Sequence, residues 1–441
     1  MKETKVVKFG GSSLADAKQF KKVADIILAD PTRRFVVASA PGKRFVEDIK
    51  VTDMLYKCYE LASEGENFDE EFQAIKDRFN GIISELGIED FSLEKEFEAI
   101  KGAFSHMAGR DYAASRGEYL NSMVLAKYLD FDFIDAAKYV FFDESGSFDW
   151  EKTAEKLVPK LASTEYAVIP GFYGSMPNGT IKTFSRGSDV TGSIVARAAS
   201  AKIYENWTDV SGFLICDPRI INNPEPINTI TYAELRELAY MGATVLHEDA
   251  IFPVRAAGIP VNIKNTNCPQ DKGTMIVSET AEPCEHIITG IAGKKGMSVI
   301  NIEKDKMNSE VGFGRNVLRA LEKSNVSFEH MPSGVDTMSV VIQTDALTGK
   351  ETTILDEIRS RVHPDQLFIE NDLALIAVVG RGMKSARGTA AILFTALAEA
   401  RVNIKMIDQG SSELNIIIGV DDQDFEVAMR AIYNAFIKVK K

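Results

Sequence analysis

The chain opens on β-branched and aromatic residues, Thr4 to Phe9 (TKVVKF), which predict a strand, and Gly10-Gly11-Ser12-Ser13 turns it into a loop. Phe20, Val23, Ala24, Ile27 and Leu28 then recur at the spacing of one helical face, and Pro31 stops that helix. Phe35 to Ala38 reads as a short buried strand. Strand, glycine-rich loop, helix and strand is the βαβ order of a parallel sheet covered by helices. From Thr52 to about Leu129 the period is helical, and the charge-rich stretches Glu64 to Glu71 and Glu89 to Glu98 predict a solvated, peripheral region. Strand patterns return at Phe131 to Ile134, Ala167 to Ile169, Thr180 to Thr183 and Lys202 to Trp207, with a helix from Asp189 to about Ala201. Residues 1–285 are expected to form one large α/β unit.

The last third repeats itself. Gly312 to Ile342, slid by 76 positions, lies without a gap on Gly388 to Ile418, so that Gly312/Gly388, Ala320/Ala396, Leu321/Leu397, Val326/Val402, Gly334/Gly410 and Ile342/Ile418 coincide. Each copy reads strand, glycine loop, amphipathic helix, strand, turn, strand, which predicts two related α+β modules, 286–363 and 364–441. Two copies are too few for a solenoid, so pairing with each other or with a second chain is expected.

Composition narrows the function. With 45% apolar and 26% charged residues the chain is an ordinary globular one, and 51 Lys+Arg against 64 Asp+Glu leave a formal charge of −13 that disfavours nucleic acid and anionic membranes. No apolar run reaches the ~20 residues of a membrane span, and no signal-peptide core follows Met1, so a cytoplasmic protein is expected. Cys58, Cys216, Cys268 and Cys284 show no C-x-x-C pairing and read as reduced thiols. His106, His247, His286, His330 and His363 are not spaced as a helical metal pair, and no metal site is expected.

Lys8-Phe9-Gly10-Gly11-Ser12-Ser13, a strand end opening toward a helix, offers backbone N–H groups, a positive helix end and an ammonium to phosphate oxygens. It matches neither the P-loop nor the dinucleotide fingerprint, and a tight βα connection is the plain alternative. Arg186-Gly187-Ser188-Asp189 sets a guanidinium fork ahead of an apolar helix, although Asp189 alone would read as an N-cap. Thr208-Asp209-Val210-Ser211-Gly212 and Asp217-Pro218-Arg219 put carboxylates and hydroxyls at the carboxyl end of a strand, where open α/β sheets bind ligands, or else they are turns.

Taken in order, KFGGSS at 8–13, Arg116-Gly117-Glu118 ahead of Asn121-Ser122, Arg186 to Asp189, TDVSGFLICDPR from Thr208 to Arg219, ELAYMGATVLH from Glu237 to His247 and Gly273-Thr274 resemble the successive motifs of the aspartate kinases, over essentially the whole chain. The paired C-terminal modules are similar to the tandem ACT domains of that family, Ser411 to Asn415 included. The resemblance implies an α/β fold, the amino-acid kinase (carbamate-kinase-like) αβα sandwich followed by two ferredoxin-like ACT domains. It implies transfer of the ATP γ-phosphoryl group to the side-chain carboxylate of L-aspartate. An ionised carboxylate needs no general base, so positioning and charge neutralisation suffice.

By the same resemblance, Lys8 would lie between the phosphates and the attacking carboxylate, with Gly10, Gly11 and Ser12 at the phosphates. Asp189 would be the catalytic aspartate. Arg186 would clamp the α-carboxylate of the substrate and Glu118 its α-ammonium, with Ser39, Thr52 and Ser188 as further substrate contacts. Thr208, Asp209, Asp217 and Arg219 match the nucleotide side. Mg2+ would arrive on ATP and keep much of its water. Met307, Glu310, Gly312 and Phe313, with Val326 and Glu329, resemble the ACT segments that bind an end-product amino acid. Lysine is the expected effector, with threonine as a second candidate, through modules that pair in a homodimer or a dimer of dimers.

Three positions depart from the family. Arg186-Gly187-Ser188-Asp189 is one glycine shorter than the usual Arg-Gly-Gly-Ser-Asp, a shift of up to ~3.5 Å for the loop. Thr244 stands where many members have a lysine near the nucleotide. His247 is followed by Glu248 instead of proline and reads as structural. The shortened loop and Thr244 keep open a catalytically weak amino-acid sensor. A relative acting on glutamate, acetylglutamate or a nucleoside monophosphate is the other alternative, and no dehydrogenase domain is expected after Lys441.

Overall fold

The computed structural model describes residues 3–243, 246, 248–280 and 286–438; Thr244, His247 and Cys284 lie outside them. The strands are β1 (Lys5–Phe9), β2 (Arg33–Ala38), β3 (Asp132–Phe133), β4 (Phe141–Phe142), β5 (Phe148–Asp149), β6 (Ala167–Pro170), β7 (Tyr173–Ser175), β8 (Ile181–Thr183), β9 (Ile203–Thr208), β10 (Thr229–Thr231), β11 (Val261–Asn265), β12 (Thr274–Val277), β13 (Gly290–Glu303), β14 (Thr337–Gln343), β15 (Gln366–Val379), β16 (Ile404–Asp408) and β17 (Asn415–Asp421). The helices are α1 (Ala17–Leu28), α2 (Val51–Glu64), α3 (Asp69–Leu86), α4 (Glu94–Ser105), α5 (Arg110–Leu129), α6 (Trp150–Ala162), α7 (Ser188–Ala198), α8 (Tyr232–Tyr240), α9 (Phe252–Ala256), α10 (Phe313–Lys323), α11 (Thr344–Leu347), α12 (Glu351–Val362), α13 (Thr389–Glu399) and α14 (Phe425–Tyr433). None of the helices among the described residues is long and apolar enough to cross a membrane.

The residues divide into two units: one holds the chain up to Phe213, Pro226–Tyr232 and the described part of 245–280; the other holds Leu214–Glu225, the described part of 233–244, and 286–438. The first unit is built on a sheet ordered β10-β12-β11-β9-β1-β2-β6-β3. Its pairs are parallel except β11 with β12. Alternation along β1 sends Val7 and Phe9 to one face, into a core shared with α1 to α5. On the other face α7 covers β1, β2 and β9. The strand pattern at Thr180 to Thr183 yields β8 (Ile181–Thr183), which lies in a separate small sheet, β5-β4-β7-β8.

The helical stretch from Thr52 to Leu129 is not peripheral. Phe68, Phe72, Phe79, Phe97 and Phe104 are buried and continuous with Val7, Phe9 and Phe20, and Phe72 meets both Phe97 and Phe104 edge-on. Each fully buried aromatic is worth roughly 1.5–3 kcal/mol of transfer free energy. Most of the charged residues between them lie on the outer faces, Arg78 excepted, which is buried and donates to Asp48 and to the Ala15 and Gly42 carbonyls, so high charge density concealed a full set of core positions. The predicted first helix is α1, whose stripe buries Phe20, Val23, Ala24 and Ile27 but leaves Leu28 63% exposed.

The repeat is realised helix for helix. Gly312 (φ 85°) and Gly388 (φ 86°) both stand in left-handed backbone as the caps of α10 and α13, a conformation glycine adopts without strain. The copies do not form separate sheets, however. β13 and β15 are fourteen residues long and run through both, giving one antiparallel sheet β14-β13-β15-β17-β16. The register slips after Lys294, where Gly296 has φ 76°. Residues 214–225 and 233–243 group with this sheet: Glu225 N–H donates to the Tyr433 hydroxyl at 2.9 Å, and Asn415 donates to Glu237 at 2.6 Å.

Candidate active site

Parallel strands β9, β1, β2 and β6 end together, and the loops after them carry the candidate residues. Lys8 and Asn206 sit opposite each other on β1 and β9, so both point to the face that α7 covers. The first turn of α7 brings Asp189 to them. Its Oδ1 meets Lys8 Nζ at 2.6 Å and accepts from Asn206 Nδ2 at 3.0 Å. Asp189 is therefore not the N-cap, a position held by Gly187 at φ 68°. α7 can lie this low because Gly192 has no side chain; a Cβ there would be 2.3 Å from the Tyr204 hydroxyl, which donates to the Asp189 carbonyl at 3.2 Å. A Cβ on Gly171, after β6, would lie 2.4 Å from Ser188 Cβ.

Two backbone turns cross where β1 and β2 end. Gly42 N–H donates to the Gly11 carbonyl at 2.8 Å, a Cβ on Gly42 would stand 2.6 Å from Gly11 C, and one on Gly11 2.9 Å from the Ala40 carbonyl. Gly10 N–H is spent on the Trp207 carbonyl at 3.1 Å, and Ser13 meets Thr266 at 2.8 Å; Ser12 is exposed. The loop does not feed straight into the helix as the sequence suggests. Residues Gly11–Leu14 form a short 3-10 turn, and Asp16 caps α1 by accepting from Gln19 N at 2.8 Å. The carboxylate of Asp16 thus already occupies the positive end of α1, leaving the turn and Lys8 to meet an anion.

α5 supplies a polar wall. Gly117 passes Ala40 so closely that a Cβ would be 2.7 Å from Ala40 Cβ, and this brings the neighbouring Glu118 under the end of β2. Glu118 is buried and accepts from Ala40 N–H; burial pushes its carboxyl up to about 8, although the Ala40 hydrogen bond and Arg116 pull the other way. Glu118 Oε2, Asn121 Oδ1 and Ser122 Oγ are buried without a hydrogen-bond partner, and all three come from one face of the helix. Buried polar atoms are normally satisfied, so three orphans together mark a place for a polar ligand. Asn121 Nδ2 donates to the Ser39 carbonyl at 2.7 Å, fixing the loop after β2. Arg116 stacks on Tyr112, Tyr119 and Tyr173 and donates to Ser115.

The remaining predicted residues fall as follows. Thr52 is half-buried at the start of α2, and Arg186 is exposed ahead of α7. Thr208 ends β9 and its hydroxyl donates to Asp209 at 3.2 Å. Asp217 and Arg219 pair with each other at 2.6 Å in the second unit, where the arginine beside Asp217 lowers its carboxyl pKa. Met307, Phe313 and Val326 are buried in the core beside α10. Glu310 is paired with Lys304. Glu329 accepts from Lys294 at 2.8 Å. Asn206, Tyr204, Gly42 and Gly171 shape the site without having been singled out; Asn206 could have been found from its place in the predicted strand before Thr208. Among the described residues no group of three or more His, Cys, Asp or Glu is placed to hold a metal ion.

The sequence pattern of the Amino acid kinase family matches residues 3–265, and that of an ACT domain matches residues 376–436. Aspartokinase 3 of Bacillus subtilis (strain 168) is 39% identical over 453 residues, covering 98% of each chain. The crystal structure of Clostridium acetobutylicum aspartate kinase is similar with a TM-score of 0.91 at 55% identity, over 98% of this chain and 100% of that one. Escherichia coli aspartokinase III in complex with aspartate and ADP is similar with a TM-score of 0.73 at 25% identity, over 98% and 99% of the two chains. The chain belongs to the amino acid kinase family and, within it, to the aspartate kinases, which are phosphotransferases.

Proposed function

We propose that the site around Lys8 joins the side-chain carboxylate of L-aspartate to the γ-phosphoryl group of ATP, giving 4-phospho-L-aspartate at the head of lysine, threonine and methionine synthesis. The observation that supports this reading most is the Lys8–Asp189–Asn206 cluster at the strand ends. Two anions must approach each other there. The Lys8 ammonium, 8% exposed and so little screened, offsets the charge that accumulates as they do. Asp189 and Asn206 hold that ammonium in place. Gly10, Gly11 and Ser12 bring backbone toward the phosphates, and Thr208 and Asp209 flank the nucleotide at the end of β9. Asp217 and Arg219, which lie in the second unit, are assigned to the nucleotide on the motif alone. Asp189 and Asp209, single carboxylates rather than a cage, suit a Mg2+ ion that stays largely hydrated on ATP and screens its phosphates.

Glu118 takes the α-ammonium of aspartate, Arg186 its α-carboxylate, and Ser39, Thr52 and Ser188 line the substrate. With its pKa near 8, Glu118 is a neutral acid in the empty site at pH 7, whereas a bound ammonium favours the carboxylate. Aspartate binding therefore releases up to one proton. Affinity for aspartate should rise by about tenfold per pH unit between pH 6 and 8 and then level; calorimetry in buffers of different ionisation enthalpy reads the proton directly. Glu118→Gln should abolish that slope. Arg186→Ala should mainly raise KM for aspartate, by about tenfold or more, with a smaller change in kcat.

The C-terminal sheet is read as the regulatory part, inhibited by lysine, alone or with threonine, and as the surface through which a homodimer or a dimer of dimers forms. Met307, Glu310, Gly312, Phe313, Val326 and Glu329 are its effector residues. The solved complex of E. coli aspartokinase III with lysine and aspartate, described as the T-state and 27% identical to this chain, supports the choice of lysine. ATP-dependent acyl-hydroxamate formation tests the reaction: L-aspartate should be accepted and L-glutamate and N-acetyl-L-glutamate rejected. Turnover unmoved by lysine and threonine, singly or mixed, would remove the regulatory part of the reading.

A further inference from the structure

Glu329 is the one charged residue in the proposed effector set that three separate elements already hold. Lys294, from β13 at the register slip, donates to its Oε2 at 2.8 Å, and Gln343, at the end of β14, donates to Oε1 at 3.1 Å. The Tyr240 hydroxyl, at the last residue of α8, is its third donor. Lys294 Nζ also lies 4.5 Å from the centroid of the Tyr240 ring. The Lys294 and Glu329 side chains are 19% and 10% exposed, so the pair is poorly screened. All four residues belong to the second unit, and α8 is the helix whose first residue, Tyr232, belongs to the first.

We propose that Lys294 is a resident substitute for the effector: its ammonium occupies Glu329 when no amino acid is bound, and an effector binds by displacing it. This rests on the regulatory reading above. The exchange conserves charge. One ammonium leaves the carboxylate and another takes its place, so the net gain is only the difference between two like contacts, and Lys294 sets the effector concentration at which the site fills. The displaced ammonium leaves the Tyr240 ring and the hydrogen bond of Tyr240 to Glu329 is disturbed, which carries the event to the end of α8. A carboxylate already paired is also protected from chance cations, so that only a ligand offering further contacts, such as a backbone-bound carboxylate, wins the exchange.

The experiment is calorimetric titration of L-lysine and of L-threonine into the full chain and its Lys294→Met and Lys294→Arg variants, with inhibition expressed relative to each variant's own uninhibited rate. Lys294→Met, which removes the competitor, should bind the effector about tenfold more tightly, within the usual range of coupling. Lys294→Arg, which strengthens it with a bidentate fork, should bind more weakly by a similar factor. Tyr240→Phe should leave binding within about threefold but lower the maximal inhibition. Should the wild type bind L-lysine and Lys294→Met bind it equally or less well, the resident-ammonium idea fails while the regulatory reading stands. If neither amino acid binds the wild type or Lys294→Met, both fail together. Binding by Lys294→Met alone would support the proposal in its strongest form.

Discussion

Lys8→Ala is expected to lower kcat by about 10²–10³-fold, with a much smaller change in KM for either substrate. The ammonium sits at the end of the central strand of an eight-stranded sheet and meets Asp189 at 2.6 Å, which fixes its place at the strand ends. Its contribution grows as phosphate and carboxylate close on each other, which is why the loss should fall on turnover rather than on binding. The variant also leaves Asp189 with Asn206 as its side-chain partner among the described residues, and Asp189→Asn separates the two effects: it keeps the ammonium but loosens its aim, and should cost about ten- to a hundredfold. Steady-state kinetics with a thermal melt of each variant reads this. Near-normal turnover in Lys8→Ala would mean that the phosphoryl group is transferred elsewhere.

The largest effect on stability should come from Arg381→Met. Glu234 of α8 has a fully buried side chain and accepts from the Arg381 guanidinium at 3.0 Å, from Arg381 N–H at 2.8 Å and from the Thr289 hydroxyl at 2.5 Å. Removing the arginine side chain takes a cation from a buried carboxylate that keeps the Arg381 N–H and Thr289 donors, at a cost of up to about 3–5 kcal/mol. Glu234→Gln in the Arg381→Met background should recover part of that, since the remaining group is then neutral. The loss should be local to the second unit. Hydrogen exchange should rise in 233–240 and 286–294 while β1 and β9 stay protected. Unchanged exchange there would show that the pair is not what anchors α8.

The elements that local pattern can specify were readable: β1 and β2 from their residue types, α1 from its stripe, and the repeat from a constant offset that returns as two identically capped helices. Readings failed where a distant partner decides. The charge between Glu64 and Glu98 suggested solvent, but the phenylalanines spaced through it answer to a core built partly by β1. The helix Tyr232–Tyr240 meets Arg381 through Glu234 and Asn415 through Glu237, partners far along the chain that no local pattern announces. Lys8 and Arg186 could be singled out by type and motif order, whereas Asn206 and Gly42 matter only through register and the crossing of two turns. Lys294 gave no signal at all, because its meaning lies in the carboxylate it meets across the sheet.

A crystal structure of the protein with ADP and L-aspartate tests the central claim most directly. The account predicts the aspartate side-chain carboxylate and the terminal phosphate both within hydrogen-bonding reach of Lys8 Nζ, and the α-ammonium on Glu118 Oε2. Ligands that bound well away from the Gly10-Gly11 turn, with Lys8 still committed only to Asp189, would contradict it.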